Sequence, residues 1–381
     1  MAQPCTLGMA EQLPVTAKSQ QRTNPGGSIK PGFSVKLEAL RGVAALMVVG
    51  FHTFQDPWTR ILFNGGAAVT VFFVLSGYVL GLSLRRGTGT LLQQFCLFLW
   101  HRVFRIYPAY FITTLAFWIY WQCYPFGTGG LGSHSFFENL HLSRLQQIKN
   151  FIFLDQSINP VTWSLKVEMI GSIVLPLLHF LSRKLRWRGR MLLFAAMLLL
   201  SFVTASGSSR QRLYMFYLGY LIVDVERLPK FADRVYSMIM CVAVGLFVAS
   251  HFLEASGWLH FELLVQAVSA AGIILCIQAG GGSLGGLLNH PWTHFAGRVS
   301  YSVFLSHWLT LDIASQLLYR SPLQIVFQHC PVYLSIWLRL LVSLPFVLLV
   351  AAALYHWIEV PFIKLGKTRG LVARWRTAKT L

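Results

Sequence analysis

Apolar residues arrive along this chain in long runs separated by short polar segments. Ten runs have a length suited to membrane-crossing helices, at about 38–54, 66–84, 104–123, 162–181, 191–206, 211–225, 235–253, 260–279, 295–315 and 332–357. The predicted fold is all-α: a polytopic transmembrane helical bundle of about ten spans, in which each helix satisfies its own backbone. The second run, GGAAVTVFFVLSGYVLGLSL, carries Ser76–Gly77 near its middle, where an interruption of the helix is predicted. The longest polar segment, about 124–161, holds a flexible tip, FGTGGLGSHSFF, followed by a short amphipathic helix candidate within ENLHLSRLQQIKNFIFL. Residues 1–36 are polar, lack a signal-peptide core and read as a disordered N-terminal tail. Residues 366–381 read as a basic C-terminal tail, with 37–365 as the transmembrane domain between.

Composition strengthens this picture. The chain is 55% apolar and only 12% charged, where a soluble domain carries about 25% charged residues. A net charge of +19 raises nucleic acid as a partner. The basic residues sit between the runs, however, and no nucleic-acid-binding motif accompanies them, so the bilayer is the expected partner. With the N-terminus inside, 23 Lys and Arg fall on inside segments and 6 on outside segments. That ratio predicts both termini in the cytoplasm and an integral, multi-pass protein of the plasma (inner) membrane. Six scattered cysteines form no CxxC and read as free thiols.

Ionisable groups inside apolar runs are costly and mark candidate sites. The first run, LEALRGVAALMVVGFH, holds Arg41 and His52, eleven residues apart. Eleven steps return a side chain to within roughly 20° of the same face, about 16 Å further along the axis. Arginine suits an anionic ligand such as phosphate, and imidazole suits proton abstraction near neutrality. Glu38 is placed to pair with Arg41. Arg102 and Arg105, three apart at the start of the third run, would form a basic mouth with Arg85 and Arg86, either as anchors or as a phosphate dock. Glu168 would orient the His52 ring, hold an acceptor hydroxyl, or form an internal salt bridge, for example to Arg339. Trp163 and Ser164 in the same segment are candidates for positioning substrate, and Thr162 is a candidate N-cap. Ser76 would position substrate or fill a helix crossing with a small side chain. Tyr301 and His307 on the ninth run are candidates for an oxyanion donor and a second polar wall. His290 and His294 have metal-ligand spacing but no nearby carboxylate, so no metal is expected. His356 and Glu359 read as an interfacial anchor beside Trp357.

Six motifs in order resemble the acyltransferase 3 family of integral membrane O-acyltransferases, of polysaccharide O-acetyltransferase type. They are Arg-x10-His in the first run, VFFVLSGYVL, RVFRIYPAYF, TWSLKVE, GRVSYSVFLSH and the terminal IEVP. The resemblance implies ten or so helices and transfer of an acyl group, often acetyl, from cytoplasmic acyl-CoA to a hydroxyl. The implied acceptor is a carbohydrate or lipid-linked glycan, such as a surface polysaccharide, or in some members an antibiotic-like small molecule. No permanently bound cofactor is implied; acetyl-CoA is a donor substrate. The family's essential arginine and histidine fall on Arg41 and His52, its arginine pair on Arg102 and Arg105, and its glutamate on Glu168. Some members carry an appended periplasmic hydrolase-like domain; none is expected here, so acceptor binding is expected in the membrane part or on the 124–161 loop. Intramembrane His, Glu and Arg also suit a transporter or exporter of a glycan or acyl intermediate, and a scaffold for glycan assembly is a third reading. The sequence leaves the oligomeric state open.

Overall fold

Each of the ten apolar runs is helical in the computed structural model, which describes residues 35–54, 57–86, 90–123, 141–205, 207–225, 232–279, 285–322, 325 and 329–368. The helices are α1 (Val35–Thr53), α2 (Pro57–Leu62), α3 (Gly65–Arg86), α4 (Leu91–Gln122), α5 (Arg144–Phe151), α6 (Trp163–Arg183), α7 (Trp187–Val203), α8 (Leu213–Val225), α9 (Asp233–Ala255), α10 (Leu259–Ala279), α11 (Gly285–Leu288), α12 (Pro291–Tyr319), α13 (Val332–Leu354) and α14 (Val360–Thr368). A π-helical turn, Tyr355–Glu359, joins the last two. No strand occurs among the described residues. Five helical stretches are long and apolar enough to cross a membrane: Thr59–Arg86, Pro160–Arg183, Asp233–Leu253, Leu259–Ala279 and Trp337–Thr368. The chain is a multi-pass, all-helical membrane protein. Helices α4 and α12 match these in length and α1, at 19 residues, is slightly shorter; all three carry the ionisable groups considered below. The N-terminal tail, the tip FGTGGLGSHSFF and most of the C-terminal tail lie outside the described residues.

Neighbouring contacts give the helices their directions. Gly42 meets Gly297 and, ten residues on, His52 meets His307, so α1 and α12 run parallel in one register. Gly77 meets Phe216, Gly81 meets Tyr220 and Arg85 meets Asp224, so α3 and α8 are parallel too. Phe73 and Ser76 reach Trp163 and Glu168, aligning α6 with α3. Thr70 and Tyr78 reach Gln266 and Gln278, aligning α10 with α3. Ile106 and Tyr120 reach Tyr301 and Asp312, aligning α4 with α12. Helix α13 runs against α1, with Trp337 on Phe54 and Glu359 near Arg41. Helix α9 runs against α10, and α7 against α8. Phe51 meets Gly65, while Arg41 stands near Glu168, which bonds Ser76, so α1 and α3 are antiparallel, and the ten helices that answer to the ten runs alternate in direction. Helix α3 is central, its stretch 72% buried, whereas the stretch containing α13 is 17% buried. The outward faces of α7 and α13 are apolar: Leu192, Leu199 and Val203, then Leu341 and Leu349, are more than half exposed. That is the pattern of helices facing lipid.

Three expectations change. Helix α3 is continuous through Ser76–Gly77. Gly77 is there because a Cβ would lie 2.0 Å from the Phe216 carbonyl oxygen, and at Gly219 a Cβ would lie 1.9 Å from that of Val74. Small residues let the two backbones touch. A Gly219→Ala variant is expected to lose about 2 kcal/mol, read as a lower unfolding temperature in detergent; an unchanged melt would refute the close contact. Helix α4 begins thirteen residues before the predicted run, at a capping box in which Thr90 and Gln93 satisfy each other's backbone N–H. That extension places Arg102 and Arg105 well inside a helix. Thr162 is not a side-chain cap: it closes a 3-10 turn, Pro160–Thr162, with its hydroxyl donated to the Asn159 carbonyl at 2.7 Å.

Candidate active site

The charged residues of the first, third and fourth runs converge. Arg102 on α4 is 8% exposed. Its Nη2 donates to Glu168 Oε1 at 2.8 Å and its Nε to Ser172 Oγ at 3.1 Å. Glu168 and Ser172 are one helical turn apart on α6, so a single guanidinium spans both. Ser172 in turn donates to the Glu168 carbonyl at 2.7 Å. From α3, Ser76 Oγ donates to the same Glu168 oxygen at 3.2 Å. Arg41 and Arg105 stand within electrostatic range of Glu168 and of Glu359. Neither makes an ion pair within 4.0 Å among the described residues. Glu359 is 4% exposed and accepts from Ser302 Oγ at 3.0 Å. Three guanidinia thus face two carboxylates. The excess positive charge, with two arginines lacking a close partner, is the electrostatics of an anion site.

The other end of α1 is aromatic. The His52 ring is half-buried, with its centroid 4.7 Å from Trp308, 5.2 Å from His307 and 5.2 Å from Phe51. His307 is fully buried. The two ends share one stripe: α1 carries both Arg41 and His52, and α12 runs beside it from Gly297 to His307. Over this end lies the α5–α6 loop. Phe153 there adopts φ 62°, and its ring stacks on Tyr110 at 3.8 Å. Asn159 Nδ2 donates to the Leu305 carbonyl at 3.2 Å, two residues before His307. Asp155 sits on this loop outside the membrane-spanning helices. Partial burial pushes its carboxyl pKa up, but hydrogen bonds from the Ser157 hydroxyl and N–H outweigh this and hold it below the ordinary value.

Several expected arrangements are corrected. Glu168 is bonded to Arg102 and Ser76, and the ring contacts of His52 are His307, Trp308 and Phe51, so Glu168 is not the group against the imidazole. Its salt-bridge partner is Arg102 rather than Arg339. The basic mouth does not form as a unit: Arg85, with Arg190, clamps Asp224 at 2.8 Å, while Arg102 is buried elsewhere. Glu38 forms no ion pair with Arg41. Tyr301 donates its hydroxyl to the Ile106 carbonyl at 2.7 Å, so it is occupied in holding α4 to α12. Ser164 donates to the Val161 carbonyl within its own turn. Trp163 is 38% exposed, with the Arg212 guanidinium 4.7 Å over its ring. His290 caps α12, and His294 bonds the Leu288 carbonyl. Glu359, read as an interfacial anchor, is inside; only His356 and Trp357 are exposed. Its signal was present in IEVP, an acidic residue in an apolar run, but the π-helical turn that rotates it inward was not foreseen.

These features define a class: a multi-pass helical membrane protein with a guanidinium–carboxylate cluster and an imidazole pair on one stripe. The family model described as an acyltransferase domain, acyltransferase 3, matches residues 34–356. The chain belongs to that family and is an O-acyltransferase. It is 27% identical to a protein of Komagataeibacter xylinus named as a membrane-bound transacylase, BcsY, over 74% of each chain. It is 24% identical to the O-acetyltransferase PaAT-1 of Phomopsis amygdali, over 87% of this chain and 83% of that one. No solved structure matches it.

Proposed function

We propose that the protein transfers an acyl group, acetyl in the first instance, from acyl-CoA to a hydroxyl of a carbohydrate acceptor. The observation that carries the reading is the stripe on α1, which sets an anion site and an imidazole about 16 Å apart along one helix. Arg41 and Arg105, with no close carboxylate of their own, bind the phosphates of the donor. Arg102, held by Glu168 and Ser172, fixes the shape of that site. The donor's long flexible arm runs along α1 and brings its thioester to His52. His52 takes the proton from the acceptor hydroxyl as the new ester bond forms. The aromatic faces around His52, with Trp308 nearest, and the exposed Trp163 offer the apolar platforms on which sugar rings stack. The printed name of PaAT-1 supports acetyl as the group carried, and that of BcsY supports acyl transfer at a membrane.

The alternating helix directions and the distribution of Lys and Arg support ten spans in the inner membrane with both termini cytoplasmic. In that orientation Arg41 faces the cytoplasmic donor and His52 the outer side. Residues 37–365 form the catalytic domain, flanked by the two tails. Purified protein in lipid, given labelled acetyl-CoA, is expected to release free thiol and to pass label to an oligosaccharide acceptor. Flux of a glycan with no thiol release would refute the reading and favour a transporter. Arg105→Gln removes a charge-assisted contact and is expected to raise KM for acetyl-CoA about ten- to a hundredfold. An unchanged KM would remove Arg105 from the donor site.

A further inference from the structure

His307 has one ring nitrogen with a defined task and one without. Nδ1 lies 2.8 Å from the Phe304 carbonyl oxygen and 3.2 Å from that of Val303. A carbonyl oxygen can only accept, so Nδ1 is the donor, and in the neutral ring Nε2 carries a lone pair. That Nε2 is buried and has no hydrogen-bond partner among the described residues. An unsatisfied polar atom on a fully buried side chain is uncommon and calls for a reason. The His52 ring packs beside it, with centroids 5.2 Å apart and planes tilted 35°, and no hydrogen bond joins the two rings as they stand. At that separation, a turn of the His52 ring that points one of its nitrogens at Nε2 brings the two within hydrogen-bond range, about 3 Å. His307 is fully buried, whereas His52 is half-buried, so a substrate meets His52 first.

We infer that His307 is a positioning residue: its Nε2 accepts a hydrogen bond from a ring N–H of His52 and leaves the other His52 nitrogen bare for the acceptor hydroxyl. The inference rests on the acyl-transfer reading above and gives to an imidazole the part expected of Glu168. The chain of groups runs from the Phe304 carbonyl through Nδ1–H and Nε2 of His307 to N–H of His52. The carbonyl end cannot take up a proton, so the charge formed during the reaction stays within the imidazole pair, next to the acceptor. The acceptor O–H bond breaks and its proton goes to His52. The acceptor oxygen bonds to the thioester carbonyl carbon. The carbon–sulfur bond then breaks, and the His52 proton passes to the sulfur, giving an ester and free CoA thiol.

The test pairs 15N spectroscopy of histidine-labelled protein in lipid nanodiscs with thiol release from acetyl-CoA, for the wild type, His307→Gln and His307→Leu. Glutamine keeps an acceptor oxygen near the Nε2 position; leucine removes it. His307 is expected as the Nδ1–H tautomer. His52 is expected as a single tautomer in the wild type and His307→Gln, and as an interconverting mixture in His307→Leu. In His307→Leu, kcat is expected to fall about ten- to a hundredfold, with KM for acetyl-CoA changed by less than about twofold; His307→Gln recovers kcat to within about fivefold. A wild-type His307 protonated at Nε2, a His52 spectrum indifferent to the loss of Nε2, or a glutamine variant as slow as the leucine variant would each overturn the inference. The wild-type tautomer decides alone if the leucine variant does not fold. The spectra are independent of the donor: expected spectra in a protein that releases no thiol would overturn the acyl-CoA reading and leave the imidazole pair standing.

Discussion

A His52→Ala variant is expected to lose acyl transfer by about 10²- to 10⁴-fold, the usual contribution of a positioned general base. The loss should fall on kcat, because His52 stands at the opposite end of the stripe from the guanidinium cluster proposed to bind the donor. Stability should change little. His52 is half-buried; it packs its ring against Phe51, His307 and Trp308, and the hydrogen bond inferred to His307 adds a single polar contact. Removing it is expected to cost no more than about 1 kcal/mol. Initial rates of thiol release, beside the size-exclusion profile of the purified protein, separate the two effects. Wild-type turnover in a monodisperse His52→Ala preparation would end its assignment as the base.

The second large effect concerns folding. Glu168→Ala leaves Arg102 buried without its carboxylate, with Arg41 and Arg105 still nearby. Removing one partner of a buried ion pair costs about 3–5 kcal/mol. The Glu168 side chain retains 23% exposure, which places the expectation near the lower end, about 3 kcal/mol. Ser76→Ala removes one hydroxyl from the same carboxylate and should cost about 1 kcal/mol. Unfolding of such a protein is read as a rate or an aggregation temperature, so the comparison is the order of the variants: Glu168→Ala far below Ser76→Ala, and both below wild type. The Arg102→Leu/Glu168→Leu double variant should recover part of the loss, because it removes the stranded charge. A Glu168→Ala protein as heat-resistant as the wild type would show that the pair does not hold α4 to α6.

The two variants also divide what the chain discloses before folding. The helices were legible because lipid and protein interior both demand apolar runs, and ten such runs stand out between polar segments. Arg41, His52, Arg102, Arg105 and Glu168 were legible for the complementary reason: a charge inside such a run needs a purpose. Which charge meets which was not legible. It depends on crossing points set by Gly42 against Gly297 and Gly77 against Phe216, and one glycine looks like another in sequence. The resemblance placed Glu168 in the site, yet only the packing of α4 on α6 gives it to Arg102. Glu359 was hidden by local backbone: beside Trp357 and His356 it looks interfacial, and a π-helical turn moves it to the inner face. Ser76 was singled out correctly as polar, but its glycine neighbour suggested a break where there is a backbone contact.

The parallel pairing of α1 and α12 makes length, more than residue type, the constrained quantity. Between Gly42 and His52, and between Gly297 and His307, each helix spends the same ten residues. Deleting one residue inside either interval would turn everything beyond it by about 100° and draw it back by about 1.5 Å. The glycine crossing would survive, and the imidazoles would part. Substitutions along the interval can be absorbed singly, since most of its side chains only fill space. Insertions and deletions cannot, unless both helices change by the same amount. The two helices therefore act as a matched pair of rulers, and evolution or design can relabel their divisions far more easily than it can recut them.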